Sequence, residues 1–285
     1  MSQINLTIII VSFNSSEVII NCLESFDINK YKVFVVDNKS SDNTLQIVKN
    51  FKKQNNLESL FIIENDKNIG FGRANNTVLK NCDTPFALII NPDAQIDDEN
   101  ISQCLNVLEN NLQIAISSPE VFAQKPVALD KNISICYENF IVGGVMFVNM
   151  TNLQKIGFFA EEYFMFAEDS DLCYRSIKLG YKNAIIKGLF ALHQGGNSSK
   201  KTLRNYYRRF WHLGWSKTNY KIKRKNKFNY YRSTLRLGFW YFLLAIIYLC
   251  LLNYNKSVKK LAFSLGCLAR LIGLKAFDKN GNPRG

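Results

Sequence analysis

Short runs of β-branched and apolar residues alternate with stretches of helical spacing through the first 117 residues. That alternation restricts the fold more than any other feature of the chain. Residues 7–13 (TIIIVSF), 32–36 (KVFVV, ending at Asp37), 60–64 (LFIIE), 86–90 (FALII) and 114–117 read as strands. Runs this continuously apolar suit parallel strands covered on both faces. Between them, residues from Ser15 or Ser16 to about 26, then 42–51, 72–81 and 97–112, carry helical patterns. Strand and helix in alternation predict an α/β architecture: a right-handed, doubly wound, mostly parallel sheet flanked by helices. In such sheets ligands lie outside the carboxyl ends of the strands. Asp37 and Asp93 each follow a strand there and are expected to face one crevice. Further on, 124–140 reads as an irregular loop and 143–150 (GGVMFVNM) as a strand. A helix is expected to end near Gly180, followed by a strand near 183–186.

A chain of 285 residues, 47% of them apolar, can bury a large domain and an appendage. Its charge is split. Residues 1–199 hold 16 Lys and Arg against 22 Asp and Glu, a net −6; residues 200–285 hold 20 against one, a net +19. The expected division is a globular domain over 1–205 and a basic, hydrophobic helical tail over 206–285. The seven cysteines (22, 82, 104, 136, 173, 250 and 267) show no CxxC spacing. They read as small buried residues in a reducing compartment rather than a disulfide framework or zinc site. The first residues show no signal-peptide pattern, so a cytoplasmic location is expected.

Several short segments can carry chemistry, and each has a plainer reading. The stretch from Val36 to Thr44 is a strand end, a polar turn and a helix cap; Asp37 and the turn could hydrogen-bond a base and ribose, or merely link strand to helix. The segment Asn68-Ile69-Gly70-Phe71-Gly72-Arg73-Ala74-Asn75 has two glycines at a helix start, which permit close backbone approach. It lacks the third glycine of the dinucleotide fingerprint. Asn91-Pro92-Asp93 ends the most apolar strand: a carboxylate there can hold a divalent cation, or the residues form an Asn-Pro turn. Glu168-Asp169-Ser170-Asp171 places three carboxylates after an aromatic run, as a general base or metal site, or as helix caps. His193 precedes a Gly-Gly-Asn-Ser-Ser segment that suits a mobile lid over phosphates. His212 reads as structural or surface.

In this order the segments resemble the family 2 glycosyltransferases with a GT-A fold, over roughly residues 5–215. The opening strand of that family resembles 8–14, and its nucleotide-binding turn resembles Val36-Asp37-Asn38 with Ser40 and Asp42. Its glycine-containing segment resembles Asn68 to Gly72 with Asn75. Its metal-binding DxD resembles Asn91-Pro92-Asp93, its Glu-Asp-x-Asp motif resembles 168–171, and its late metal-site histidine resembles His193. The Asn-Pro-Asp form, Gly143-Gly144 and the His-x-Gly-Gly loop look most like bacterial rhamnosyltransferase-type enzymes of surface polysaccharide synthesis. Asn91 departs from the family pattern, replacing the first acid of DxD with a neutral oxygen.

The resemblance implies inverting transfer of a sugar from a nucleoside-diphosphate donor to a saccharide or lipid-linked acceptor. Asp169 would be the base. Asp93 and His193 would hold Mg²⁺ or Mn²⁺. Ser12, Asn14, Asp37, Asn38, Ser40, Asp42, Asn68, Gly70, Gly72, Asn75 and Asn91 would bind the donor nucleotide. Glu168, Asp171 and Gly144 would meet the acceptor, and the aromatics of 163–166 would stack on a sugar. A non-catalytic protein that binds nucleotide sugars or polysaccharide on the same fold is the alternative.

The tail interleaves Lys and Arg with Tyr, Phe and Trp over 200–236, is uncharged over 237–255, and continues as an amphipathic pattern over 257–277. No nucleic-acid recognition motif accompanies the charge. An interfacial hairpin or monotopic helix pair on an anionic membrane surface is the expected arrangement, at the cytoplasmic face of the inner membrane. A single span, a helix packed on the catalytic domain, and a homodimer contact are its rivals.

Overall fold

A computed structural model describes residues 5–126, 132–193, 195, 202–224 and 227–285. In chain order the elements are β1 (Leu6–Ser12), α1 (Ile19–Leu23), β2 (Lys32–Asp37), α2 (Thr44–Gln54), β3 (Leu60–Glu64), α3 (Phe71–Leu79), β4 (Phe86–Ile90), β5 (Ala94–Gln95) and α4 (Asp98–Glu109). They continue with β6 (Ile114–Phe122), β7 (Ser134–Tyr137), β8 (Val145–Asn149), α5 (Met150–Ile156), α6 (Glu168–Lys178), β9 (Lys182–His193), α7 (Leu203–Ile222), α8 (Lys227–Cys250) and α9 (Tyr254–Leu271). The chain divides into two compact units. One comprises 1–68, 73–159 and 169–199; the other comprises 69–72, 160–168 and 200–285.

The first unit holds one mixed sheet in the order β3-β2-β1-β4-β8-β6-β9-β5, with β7 paired to β9. Strands β1 to β4 run parallel to one another, as their continuous apolar runs lead one to expect. Every residue of β1, β4 and β8 is buried. Ile8, Ile10, Val33, Leu88, Ile90 and Phe147 belong to one core with the inner faces of α1, α2 and α4. Each such side chain contributes about 1.5–3 kcal/mol by leaving water. β8 enters antiparallel between β4 and β6, so the sheet is mostly rather than wholly parallel. The helix-end signals act as chemistry dictates: the Asp97 side chain accepts from Asn100 N to cap α4, and that of Asn149 accepts from Asn152 N to cap α5.

Three elements depart from the expected pattern. The stretch anticipated as a loop contains β7, a strand whose four residues pair with β9 through backbone hydrogen bonds rather than through an apolar signature. The strand expected over 143–150 stops at Asn149, and α5 begins at once. β9, expected to span four residues, runs for twelve, with its register against β6 shifted between Pro119 and Glu120.

The second unit is built on α7, α8 and α9. Tyr163, Phe164, Trp211, Trp215, Ala262, Ala269 and Phe277 form its core. Trp215 Nε1 donates to Leu274 O at 2.7 Å, and Arg270 Nε donates to Asn219 Oδ1 at 2.6 Å. α7 and α9 cross almost backbone to backbone: a Cβ on Gly266 would meet Trp211 O at 2.0 Å, and one on Gly214 would meet Phe263 O at 2.1 Å. His212 is fully buried, 4.5 Å from the Phe164 ring. Desolvation, then the nearby Arg208 charge, pushes its pKa down to about 3, so it is a neutral structural residue at physiological pH.

Candidate active site

β1 and β2 end in register, Ser12 beside Asp37. Ser12 Oγ donates to Asp37 Oδ1 at 3.0 Å, Ser40 Oγ to the same oxygen at 2.5 Å, and Ser40 N to Oδ2 at 2.9 Å. Asn38 N donates to Ser12 O at 2.8 Å, which ties the turn to the strand above it. Asn14 (φ 54°) accepts from Ser41 N through its side chain, and its own N–H donates to Ser40 Oγ. These bonds hold Asp37, 3% exposed, at the carboxyl edge of the sheet. A carboxylate offers about four lone-pair sites, so acceptor capacity remains for a base or ribose. Asp42 is engaged within the turn, accepting from Thr44 N and Oγ1 and from Ser16 N. Although desolvation opposes them, these bonds hold its carboxyl below the usual range. It shapes the loop that presents Asp37.

The glycine segment serves packing as well. Phe71 N donates to Phe164 O, and a Cβ on Gly70 (φ 91°) would lie 2.4 Å from that oxygen. Gly72 lies in the first turn of α3. Asn75 is fully buried in the same helix, and Asn68 lies just before it.

A second cluster forms where β4 ends and β9 returns. The short β5 pairs Ala94 with His193, which brings the histidine beside the Asn-Pro-Asp turn. His193 Nε2 lies 3.1 Å from Asp93 Oδ1 and 3.2 Å from Asn91 Nδ2. The Asp93 side chain is 4% exposed and that of His193 is 17% exposed. Asn91 N donates to Gly144 O at 2.9 Å. A Cβ on Gly144 would sit 2.6 Å from both Cε1 and Nδ1 of His193. Glycine is therefore required there because the imidazole fills the space a side chain would take.

The residue before it, Gly143, donates its N–H to Asp169 Oδ2 at 3.3 Å. The other oxygen of Asp169 accepts from Ser170 N at 2.6 Å. Burial raises the Asp169 pKa, opposed by the Ser170 and Gly143 hydrogen bonds, so its carboxylate is more basic than an ordinary aspartate. One dipeptide, Gly143-Gly144, thus touches the candidate base on one side and the candidate metal pair on the other.

The other carboxylates differ. Asp171 Oδ2 accepts from Arg175 Nε at 2.7 Å, and the same guanidinium donates to Ile156 O, Gly157 O and Phe158 O. This acid is engaged in fixing the end of α5, which leaves it poorly placed for an acceptor hydroxyl. Glu168 is buried at the start of α6. The aromatic run is a correction to the expected sugar platform. Tyr163 and Phe164 are 0% and 1% exposed, edge-on to Trp215 and Phe277 respectively, so their faces are taken up by core packing. The chain enters α6 through Phe166 and Ala167, both at φ 67°, a left-handed conformation unusual for non-glycine residues. The sequence gives no signal for that. The Gly-Gly-Asn-Ser-Ser lid, beyond its first glycine, lies outside the described residues.

The sequence profile described as glycosyl transferase family 2 matches residues 7–173, more than half of the chain. The chain belongs to glycosyl transferase family 2. Its sheet and helices form a GT-A fold. Among curated relatives, rhamnosyltransferase WbbL of Escherichia coli (strain K12) is 24% identical over 244 residues, covering 72% of this chain and 89% of WbbL. The amylovoran biosynthesis glycosyltransferase AmsB of Erwinia amylovora is 25% identical over 209 residues, covering 65% and 68%. The dolichyl N-acetyl-alpha-D-glucosaminyl phosphate 3-beta-D-2,3-diacetamido-2,3-dideoxy-beta-D-glucuronosyltransferase of Methanococcus voltae is 29% identical over 113 residues, 38% of this chain and only 33% of that enzyme. Among solved structures, the mannosyltransferase PcManGT of Pyrobaculum calidifontis, in complex with GDP-Man and Mn²⁺, superposes with a TM-score of 0.59 at 14% identity, covering 97% of this chain and 77% of that one. S. aureus TarS 1–349 with UDP-GlcNAc gives 0.56 at 16% identity, covering 95% and 93%.

Two observations bear on a divalent cation. Adjacent ligands of an octahedral ion bound at about 2.1 Å lie about 3.0 Å apart, and Asp93 Oδ1 and His193 Nε2 are 3.1 Å apart. Among the described residues no group of three or more His, Cys, Asp and Glu side chains could hold a metal. The spacing of this pair is compatible with two adjacent ligands of such an ion.

Proposed function

We propose that this chain is an inverting glycosyltransferase that moves a sugar from a nucleoside-diphosphate donor to a hydroxyl of a saccharide or lipid-linked acceptor in bacterial surface polysaccharide synthesis. Rhamnose is the first donor sugar to test, because WbbL is a rhamnosyltransferase and aligns over most of its length. The carrying observation is the shared Gly143-Gly144 dipeptide, which fixes Asp169 and the His193–Asp93 pair together.

Asp37, held by Ser12 and Ser40, would orient the nucleotide. Asp93 and His193 would hold Mg²⁺ or Mn²⁺, with Asn91 as a neutral neighbour. The cation, when bound, offsets charge on the departing diphosphate. Asp169 accepts the acceptor's hydroxyl proton as that oxygen bonds to the anomeric carbon and the bond from that carbon to the diphosphate breaks. Its raised pKa suits it to the task, since a base works best with a pKa near the working pH.

A panel of nucleotide sugars, incubated with acceptor and assayed for diphosphate release, tests this. One donor should be turned over by wild type and not by Asp169→Asn, and EDTA should abolish turnover. If wild type and Asp169→Asn both bind nucleotide yet neither turns over any donor, the chain is a binding protein. Full turnover in EDTA would overturn the metal assignment.

A further inference from the structure

α8 is covered on one narrow strip. Thr234, Gly238 and Ala245 form a line at helical spacing against α9. Ser257 Oγ donates to Ala245 O at 2.8 Å, and the Tyr241 ring lies 4.3 Å from that of Phe263. From residue 237 onward the rest of its surface carries no charge and is largely open. Phe239, Trp240, Phe242, Ile246, Ile247 and Leu249 are exposed, the first two at 64% and 58%. At the turn into α9, Leu251 and Leu252 are 69% and 73% exposed. Only 17% of the apolar stretch Tyr231–Cys250, mean hydropathy 1.6, is buried. An exposed patch of this extent marks an interaction surface.

Charge identifies the occupant. From residue 200 onward Asp278 is the sole acid against 20 Lys and Arg. Arg236 and Arg232 lie one and two turns before the aromatic pair. Lys256 Nζ sits 5.3 Å from the Tyr248 ring centre and Lys260 Nζ 4.6 Å from that of Tyr241, so basic heads flank the apolar face. Aromatics with a basic rim match the boundary between acyl chains and anionic head groups.

The same contacts decide orientation. A helical stretch of twenty residues is long enough to cross a bilayer. Tyr241, though, lies midway along that stretch, so a spanning α8 would hold Lys260 at the bilayer centre. Behind α9 lies α7, in backbone contact through Gly214 and Gly266, carrying Lys217 and Lys221 and followed by Lys223. Both would have to enter with it.

We propose that α8 and the Leu251–Leu252 tip form an in-plane anchor that docks on an anionic lipid leaflet, with α9 and α7 stacked on its water side. The anchor places the chain at a surface where lipid-linked acceptors reside, but the assignment stands whether or not the transferase reading does.

The full chain is tested by flotation with phosphatidylcholine vesicles and with vesicles containing about one third phosphatidylglycerol. It should float with the anionic vesicles, lose at least tenfold in partitioning to neutral ones, and be released by alkaline carbonate. Lipids brominated near the head group should quench part of the tryptophan fluorescence, and Trp240→Phe, which preserves packing, should abolish that quenching because Trp211 and Trp215 are buried. Phe239→Ser with Ile246→Ser should lose flotation while retaining its circular dichroism. No flotation, or quenching unchanged in Trp240→Phe, overturns the proposal. Concentration-dependent dimerisation abolished by the same serine variant, without flotation, assigns the face to a second copy instead. Carbonate-resistant association overturns the in-plane orientation in favour of a span.

Discussion

Gly144→Ala probes the site through a single methyl group. The added Cβ would lie 2.6 Å from Cε1 and Nδ1 of His193, whereas ordinary contact begins at 3.4 Å. The ring must therefore retreat by about 1 Å, because Gly144 is held by its own carbonyl to Asn91 N and cannot yield. That displacement moves Nε2 away from Asp93. A 1 Å misplacement can cost about 10²-fold in rate, equivalent to about 2.7 kcal/mol of transition-state stabilisation. Overpacking should cost about 1–3 kcal/mol of stability as well. The assay is a double-mutant cycle with His193→Ala, reading kcat/KM for diphosphate release and Mn²⁺ affinity by paramagnetic resonance. Gly144→Ala alone should lower both. In the His193→Ala background, where no ring opposes the methyl group, it should lower neither further. Equal losses in both backgrounds, or none in either, would refute the argument that Gly144 acts by making room for the imidazole.

Other perturbations separate chemistry from scaffolding. Asp169→Asn should lose transfer while keeping nucleotide affinity, and the wild-type acid limb of kcat/KM should lie above the ordinary aspartate range, because burial raises that pKa; an acid limb at ordinary aspartate values would count against Asp169 as base. For stability, a carboxyl with a raised folded pKa contributes fully below its unfolded pKa and loses that contribution as pH rises through its folded pKa, so melting temperature at neutral pH should not fall in Asp169→Asn. Asp171→Ala should cost about 1–3 kcal/mol, measured by urea denaturation, by releasing Arg175 from its orientation toward three carbonyls, with kcat per folded molecule unchanged. Gly266→Ala should destabilise the α7–α9 crossing and lower the melting temperature, since the new Cβ meets Trp211 O at 2.0 Å; an unchanged melting temperature would contradict that crossing.

The central strands are readable from sequence because their side chains face apolar surroundings on both sides, as in β1 and β4. β7 is not, because its identity comes from pairing with β9 rather than from burial of Ser134 or Tyr137. α5 hides behind the apolar residues of β8, although Asn149 announces it as a cap. At the site, residue types point to Asp37, Asp93, Asp169 and His193, since each follows an apolar segment that a polar residue would not end by chance. The division of labour among the acids does not appear in sequence. Asp171 is distinguished from Asp169 by Arg175, whose targets lie 17 to 19 residues earlier. The aromatic run misleads for a related reason: stacking on a sugar and stacking on Trp215 demand the same residues.

Asp93 and His193 are 100 residues apart in sequence, and β8 reaches its place between β4 and β6 from 55 residues beyond its partner Ile90. Closing such long loops is entropically costly, so contacts of this range are expected to form late in folding, after the β1–β2 and β2–β3 pairings, whose partners lie only 25 and 27 residues apart. We therefore expect the donor site to be the last part to assemble and the first to come apart. In a urea titration, Mn²⁺ affinity should vanish before the far-ultraviolet signal of the sheet does. Coincident transitions would show that β9 docks with the rest of the sheet in one cooperative step.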